Sequence, residues 1–384
     1  MILSQILCSL ASLAGLASAI PTRNAFPKPS FPVPADSGGE LPRLILYYQT
    51  THDENDGPIS MLPLINQKNI ALTHLIVCTF HVRSNRELYL NDFPPHHPRF
   101  WTMWNETEIM QRAGVRVFGM VGGASSGSFT NLTLDGDTGT FERAYGQLRD
   151  ALIEYKLEGL DIDVEQRMSQ YGISRLVRRL RKDFGPEFII TLSPVASALR
   201  GGGNLSGFDY RQLDKQDGDA IDFYMAQFYN GWGRMHDPLQ YESIIEDMGY
   251  DPSRVVAGQV TTARNGGGFV PFEQLNKTIS YLLTKFPRFG GIMGWEYFNS
   301  HPGGLEEPWV WAQQMTAILR PNLVPRLAIT KSIADRLSRT WRASAAAGGG
   351  VRANMNCMLG VGGCGPVPER TPTVDYYSMV NTEE

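Results

Sequence analysis

Leu157-Glu158-Gly159-Leu160-Asp161-Ile162-Asp163-Val164-Glu165 alternates apolar and acidic side chains from Leu160 onward. A period of two belongs to a β-strand and sends the two sets to opposite faces. Leu160, Ile162 and Val164 suit a face packed against other elements. Asp161, Asp163 and Glu165 form a column of carboxylates about 7 Å apart along the strand. Like charges at that spacing repel and are costly to bury. The column therefore marks a place where a proton is held, shared or delivered. A hard-metal loop would need turn geometry and a glycine at a set position, and this run has neither. A solvated edge strand also fits poorly, because an amphipathic helix follows at once, as in a covered parallel sheet.

Outward from this strand, apolar, β-branched or aromatic runs recur at 43–49, 72–82, 115–122, 157–165, 188–196, 221–229, 254–261 and 290–298. Helical spacing fills several of the intervals. Phe141, Tyr145, Leu148, Leu152 and Tyr155 step by four and three before the acidic strand. Ile173, Leu176, Val177 and Leu180 do so after it, and Gly185-Pro186 ends that helix. Strand and helix alternating eight times predict an α/β fold, a (β/α)8 barrel over residues 42–325. A doubly wound open sheet is the alternative, disfavoured because no glycine-rich phosphate turn follows the first strand. In a barrel, reacting groups sit at the C-terminal strand ends, which places Glu165 at the mouth.

The chain ends read differently. Leu3 to Leu16 is an apolar run followed by Ala17-Ser18-Ala19, the pattern of a secretory signal over residues 1–19 with a small-residue cleavage site. Residues 20–41 form a Pro/Gly/Ser-rich leader. Residues 326–384 form a C-terminal extension, with a helix expected around Lys331 to Trp341 and a disordered tail beyond. Four sequons, at Asn105, Asn131, Asn204 and Asn276, agree with export. Cys78 reads as a buried apolar thiol, and Cys357 and Cys364 are spaced to allow pairing. A net charge of -4 and the lack of a basic cluster with interleaved aromatics argue against a nucleic-acid partner. No internal run is long enough to span a membrane. His96-His97 reads as a solvated loop pair, and the histidines show no ligand spacing. No metal or organic cofactor is expected, and the chain is expected to be a monomer.

Four elements, taken together, resemble glycoside hydrolase family 18. Glu158-Gly159-Leu160-Asp161-Ile162-Asp163-Val164-Glu165 is similar to that family's D-G-x-D-x-D-x-E strand, with Glu158 replacing the first Asp. Gly119-Met120-Val121-Gly122-Gly123 resembles its third-strand S-x-G-G element. Gln227-Phe228-Tyr229-Asn230 resembles the sixth-strand element that supplies a tyrosine, and Gly291-Ile292-Met293-Gly294-Trp295 the eighth strand with its tryptophan. The resemblance implies substrate-assisted hydrolysis in which the N-acetyl oxygen of the sugar attacks its own anomeric carbon. Glu165 is then the acid, its pKa raised by like-charged neighbours. Asp163 holds the acetamido N–H, Tyr229 the acetamido oxygen, and Asp161 shares a proton with Asp163. Trp295 forms the floor under the sugar ring. Gln227, Asn230 and Glu296 are further cleft candidates, Gly122 and Gly123 allow close backbone approach, and Glu158 is a structural partner at the strand base.

Within the family, Leu44–Asp53, Pro58–Leu64, Ala226–Gly233 and Met293–Ser300 resemble secreted fungal endo-β-N-acetylglucosaminidases. This implies cleavage between the two GlcNAc residues of an N-glycan core, of high-mannose type. Chito-oligosaccharide hydrolysis by a chitinase is the alternative. A non-catalytic carbohydrate-binding barrel is a second alternative, disfavoured because Glu165 is present. Trp101, Trp104, Tyr229, Trp232 and Tyr297 are the aromatics available to line a groove for either substrate.

Overall fold

All eight expected strand regions form. The computed structural model describes residues 41–85 and 87–322. Its strands are β1 (Arg43–Tyr48), β2 (His74–Val82), β3 (Leu88–Leu90), β4 (Arg116–Gly122), β5 (Gly159–Asp163), β6 (Ile189–Leu192), β7 (Phe223–Gln227), β8 (Val255–Val260) and β9 (Gly291–Trp295). The sheet order β1-β9-β8-β7-β6-β5-β4-β2 closes through a β1–β2 pairing, and these eight strands are parallel. Closure removes the sheet edge that an open arrangement would leave unpaired. β3 has no counterpart in the eight-strand reading. It is an antiparallel arm that pairs Leu88 to Leu90 with the end of β2, Val82 to Phe80.

The strands are shorter than their apolar runs because hydrogen-bonding partners run out. β5 ends at Asp163, which is paired with Gly122, the last residue of β4. Gly122 there takes a φ of +113°, which L side chains rarely adopt. Val164 and Glu165, expected within the strand, leave the ladder at the barrel mouth. The run to residue 196 likewise gives way to a helical turn at Ala196–Leu199.

Strand periodicity separates two apolar layers. Leu160, Ile162, Val77, Leu75 and Tyr224 face outward into the layer shared with the helices. Ile45, Tyr47, Ile76, Cys78, Phe118, Met120, Met225 and Met293 fill the barrel. Each fully buried aliphatic side chain contributes roughly 1.5–3 kcal/mol relative to exposure, so the alternation fixes the register of every strand. At the N-terminal end the plug is polar and aromatic. The Arg43 guanidinium lies 4.2 Å from the Phe223 ring centroid, and His74 sits edge-on to Phe118 and Phe223.

The helices flanking β5 follow their sequence signals. Asp137 caps helix Thr138–Glu154 by accepting from the Thr140 N–H, and Ser169 caps Gln170–Phe184 through Gly172. Gly185 ends the second helix at φ +79°. Glu158 lies at the base of β5, where its carboxylate accepts from the Val117 N–H at 2.9 Å and from Arg116. Of the loop histidines, His96 is exposed, whereas His97 is half-buried, 4.5 Å from the Phe93 ring, and accepts from the Arg99 N–H. The signal, the leader up to residue 40, the Lys331 to Trp341 helix and the Cys357/Cys364 pair lie outside the described residues.

Candidate active site

β5 carries the carboxylates up the inside of the barrel toward its C-terminal mouth. Asp161 is fully buried, Asp163 is 6% exposed, and Glu165 is partly exposed. Three hydroxyls surround Asp161. Tyr47 donates to Oδ2 at 2.7 Å, Ser193 to the same oxygen at 2.9 Å, and Thr191 to Oδ1 at 2.8 Å. Tyr47 and Ser193 also touch each other at 2.7 Å. Burial pushes the Asp161 carboxyl up to about 6, and these three bonds hold it from rising further. The Tyr47 hydroxyl is raised far above the usual tyrosine value by burial and then by Asp161, so it stays a donor.

Gln227 closes the next step. Its Nε2 lies 3.2 Å from Asp163 Oδ1, 3.2 Å from Glu165 Oε1 and 2.9 Å from the Ser193 carbonyl. Asp163 is raised well above the carboxylate range by burial, by Glu165 and by Asp161. Glu165 is raised too, but its chief cause is burial, against which the Gln227 bond works. Burial thus adds to the cause read from sequence, since the repulsion between Asp163 and Glu165 acts on both carboxyls. Two carboxyls in this arrangement do not both ionise readily. The site therefore holds a proton between Asp163 and Glu165.

The backbone is shaped to admit this. A Cβ on Gly122 would lie 2.0 Å from the Asp163 carbonyl oxygen, while the Gly123 N–H donates to that same oxygen at 2.9 Å. Gly127 N–H donates to Gln166 Oε1 at 2.6 Å, which ties the loop after β4 to the residue following Glu165.

Tyr229 lies in the inner cluster, 6% exposed, with its hydroxyl proton held by burial and by the nearby Asp163 and Glu165. Trp295 ends β9, partly exposed, and meets the Tyr47 ring edge-on at 5.3 Å. Tyr229 and Trp295 thus join the carboxylates at the mouth.

The other candidates have occupied side chains. Glu296 Oε2 accepts from the Thr50 N–H at 2.8 Å and the Gln49 N–H at 3.3 Å, and Oε1 accepts from Thr50 Oγ1 at 3.1 Å. It ties the end of β9 to the loop after β1. Asn230, at φ +52°, accepts from the Gly267 N–H at 2.8 Å and anchors the loop after β8. Trp104 and Tyr297 are core residues rather than groove aromatics. Trp104 stacks on Tyr155 at 3.9 Å, and Tyr297 is fully buried against Tyr48. Trp101 and Trp232 remain partly exposed.

Sequence reasoning missed Tyr47, Thr191 and Ser193. Strand parity was the available signal for the first two: Tyr47 follows inward Ile45 by two, and Thr191 follows inward Ile189 by two. Among the described residues, no group of three or more His, Cys, Asp or Glu is arranged to hold a metal ion.

No family model matches the chain, and no curated protein does. Solved structures do. A fungal endo-beta-N-acetylglucosaminidase from glycosyl hydrolase family 18 is 58% identical, with 74% of this chain and 100% of that chain covered and a TM-score of 0.73. A chitinase from Aspergillus fumigatus is 48% identical, with 71% of this chain and 98% of that chain covered and a TM-score of 0.65. A family 18 chitinase from Pseudoalteromonas aurantia, at 22% identity and a TM-score of 0.58 over 72% of this chain and 100% of that one, shares the fold.

Proposed function

The chain belongs to glycoside hydrolase family 18, and on that premise we propose that it cleaves the GlcNAc-β1,4-GlcNAc core of N-glycans and leaves one GlcNAc on the protein. The observation that carries this is the 58% identity to the fungal endo-beta-N-acetylglucosaminidase over that protein's whole length. High-mannose glycans are the proposed substrate, the enzyme works as a monomer, and the apolar run from Leu3 to Leu16 supports its secretion.

The arrangement of the carboxylates supports substrate assistance. An ordinary retaining site needs a second carboxylate about 5 Å away on the opposite side of the bond, whereas family 18 uses the substrate's own acetamide. Here Asp161, Asp163 and Glu165 all rise from one strand end. Glu165, whose ionisation is raised chiefly by burial, gives its proton to the glycosidic oxygen as the bond to the anomeric carbon breaks. The acetamido oxygen attacks that carbon from the other face and forms an oxazolinium ion. Asp163 accepts the acetamido N–H and balances the positive charge, and the Tyr229 hydroxyl donates to the acetamido oxygen. The Glu165 carboxylate then takes a proton from water, whose oxygen opens the ring. Two inversions restore the starting configuration. Asp161, held by its three hydroxyls, carries the negative charge next to Asp163 throughout. Trp295 supplies the apolar surface beneath the sugar.

Chitin hydrolysis is the second reading, favoured by the 48% identity to the Aspergillus fumigatus chitinase. Mass spectrometry of a high-mannose glycoprotein and of a chitin oligomer, each treated with the parent and with Glu165→Gln, separates the two. Loss of all but one GlcNAc from the glycoprotein, by the parent alone, is the expected result. Shortening of the oligomer alone makes the protein a chitinase. Full turnover by Glu165→Gln refutes the acid assignment.

A further inference from the structure

The four sequons differ in what the fold does with their asparagines. Asn105 lies in the middle of helix Trp101–Arg112, 8% exposed, one residue from the Trp104 ring stacked on Tyr155. Thr107 of the same sequon is 2% exposed and donates back to the Trp104 carbonyl. Asn204 is exposed but spends both ends of its amide: Oδ1 accepts from the Ser206 N–H at 2.7 Å, and Nδ2 donates to the Phe208 carbonyl at 2.5 Å. Asn276 is half-buried within helix Phe272–Lys285 and accepts from Ser280.

Asn131 is unlike these. It sits in a turn of the loop between β4 and helix Thr138–Glu154, and its side chain is exposed and makes no hydrogen bond within the described residues. Its neighbour Leu132 is 63% exposed. Thr133 is buried and tied to the Gly127 carbonyl at 2.7 Å, so the turn keeps its shape without any contribution from the Asn131 amide. The same loop is held from behind by Arg175, which donates to the Leu134 and Gly136 carbonyls. A glycan is bulky and strongly hydrated, and it is compatible with a fold only where its asparagine ends at the surface. From these contrasts we infer that Asn131 is an N-glycosylation site of this protein and that Asn105 is not.

The inference rests on the secreted reading. It is tested with the full chain expressed in a eukaryotic secretory host, with cell and medium fractions peptide-mapped by mass spectrometry for N-acetylhexosamine-bearing asparagines. The expected result is sugar on Asn131 and bare Asn105. Asn131→Gln should lose that one modification and keep the parent's hydrolytic rate. Bare Asn131 in protein glycosylated elsewhere overturns the inference, as does sugar on Asn105 of the active enzyme. No sugar on any asparagine overturns it as well. Protein present or absent in the medium reads the secretion premise, and turnover by either fraction reads the proposed activity, so the three fail separately.

Discussion

Replacing Glu296 with glutamine is expected to stabilise the protein at neutral and alkaline pH while leaving it unchanged in acid. Burial outweighs the three bonds that Glu296 accepts from Gln49 and Thr50, and pushes its ionisation from 4.5 to about 7. A carboxyl raised on folding binds its proton more tightly in the folded than in the unfolded chain. Its contribution is fully present below pH 4.5 and is lost as pH rises through 7. Holding the charge above that range costs on the order of 3 kcal/mol, at about 1.36 kcal/mol for each pH unit between the two values. Glutamine matches the shape. Its oxygen takes the Thr50 and Gln49 N–H groups, and its amide nitrogen donates to a lone pair of Thr50 Oγ1. Thermal unfolding of parent and Glu296→Gln between pH 4 and pH 8 checks this. The midpoints should coincide near pH 4 and separate through pH 5 to 7. The variant should end roughly 5 °C higher, at about 1.7 °C per kcal/mol from an unfolding entropy of about 2.1 cal/mol/K per residue over a barrel of this size. A constant offset at every pH, or a variant less stable at pH 8, would refute the reasoning that burial of the charge dominates at this position.

Gln227→Leu removes the bond that holds the Glu165 ionisation down, so the alkaline limb of the kcat/KM profile should move to higher pH; a limb that stays put or moves down counts against the contact. Tyr47→Phe takes one of three donors from Asp161. Unfolding at pH 8 should then be easier by roughly 1.5–3 kcal/mol, the worth of a hydrogen bond to a charged group. Because Asp161 titrates near 6, the loss should shrink at pH 4, and a loss equal at both pH values would show that packing rather than charge is responsible. Gly122→Ala meets both an unfavourable φ and the Asp163 carbonyl at 2.0 Å. It should therefore abolish turnover or folding, and a variant with parental activity and melting temperature would show that the backbone there yields freely.

The acidic ladder and the barrel were legible because both depend on a period that sequence displays directly. Leu160 and Ile162 must face the helices, which forces Asp161 and Asp163 inward whatever lies around them. The helix end at Gly185 was a local signal of the same kind. What surrounds Asp161 was not legible in that way. Tyr47 is 114 residues distant and Ser193 is 32, and their convergence depends on barrel closure and relative stagger, which no single strand encodes. Glu296 and Asn230, the further cleft candidates, follow directly on Trp295 and Tyr229. The strands end there, the period of two stops, and both side chains instead bind neighbouring loops. Trp104 and Tyr297 show the same limit, since an aromatic side chain serves a core as well as a groove.

The ladder works as chemistry because the barrel grades the burial of three chemically similar groups. Asp161, deepest, is compensated by three hydroxyl donors and titrates near 6, so it is the member able to carry charge at neutral pH. Asp163, one step up, shares a single amide with Glu165 and receives no comparable compensation from Gln227, whose Nε2 stands at 3.2 Å from both. Protonation is therefore pushed away from the group richest in donors and onto the Asp163–Glu165 pair. Glu165, the outermost member of that pair, is the one partly exposed at the mouth. A row of carboxylates that would destabilise an ordinary strand becomes a proton store, and which acid is left charged is set by Tyr47 across the barrel on β1, Thr191 on the neighbouring β6 and Ser193 just beyond it rather than by the acids themselves.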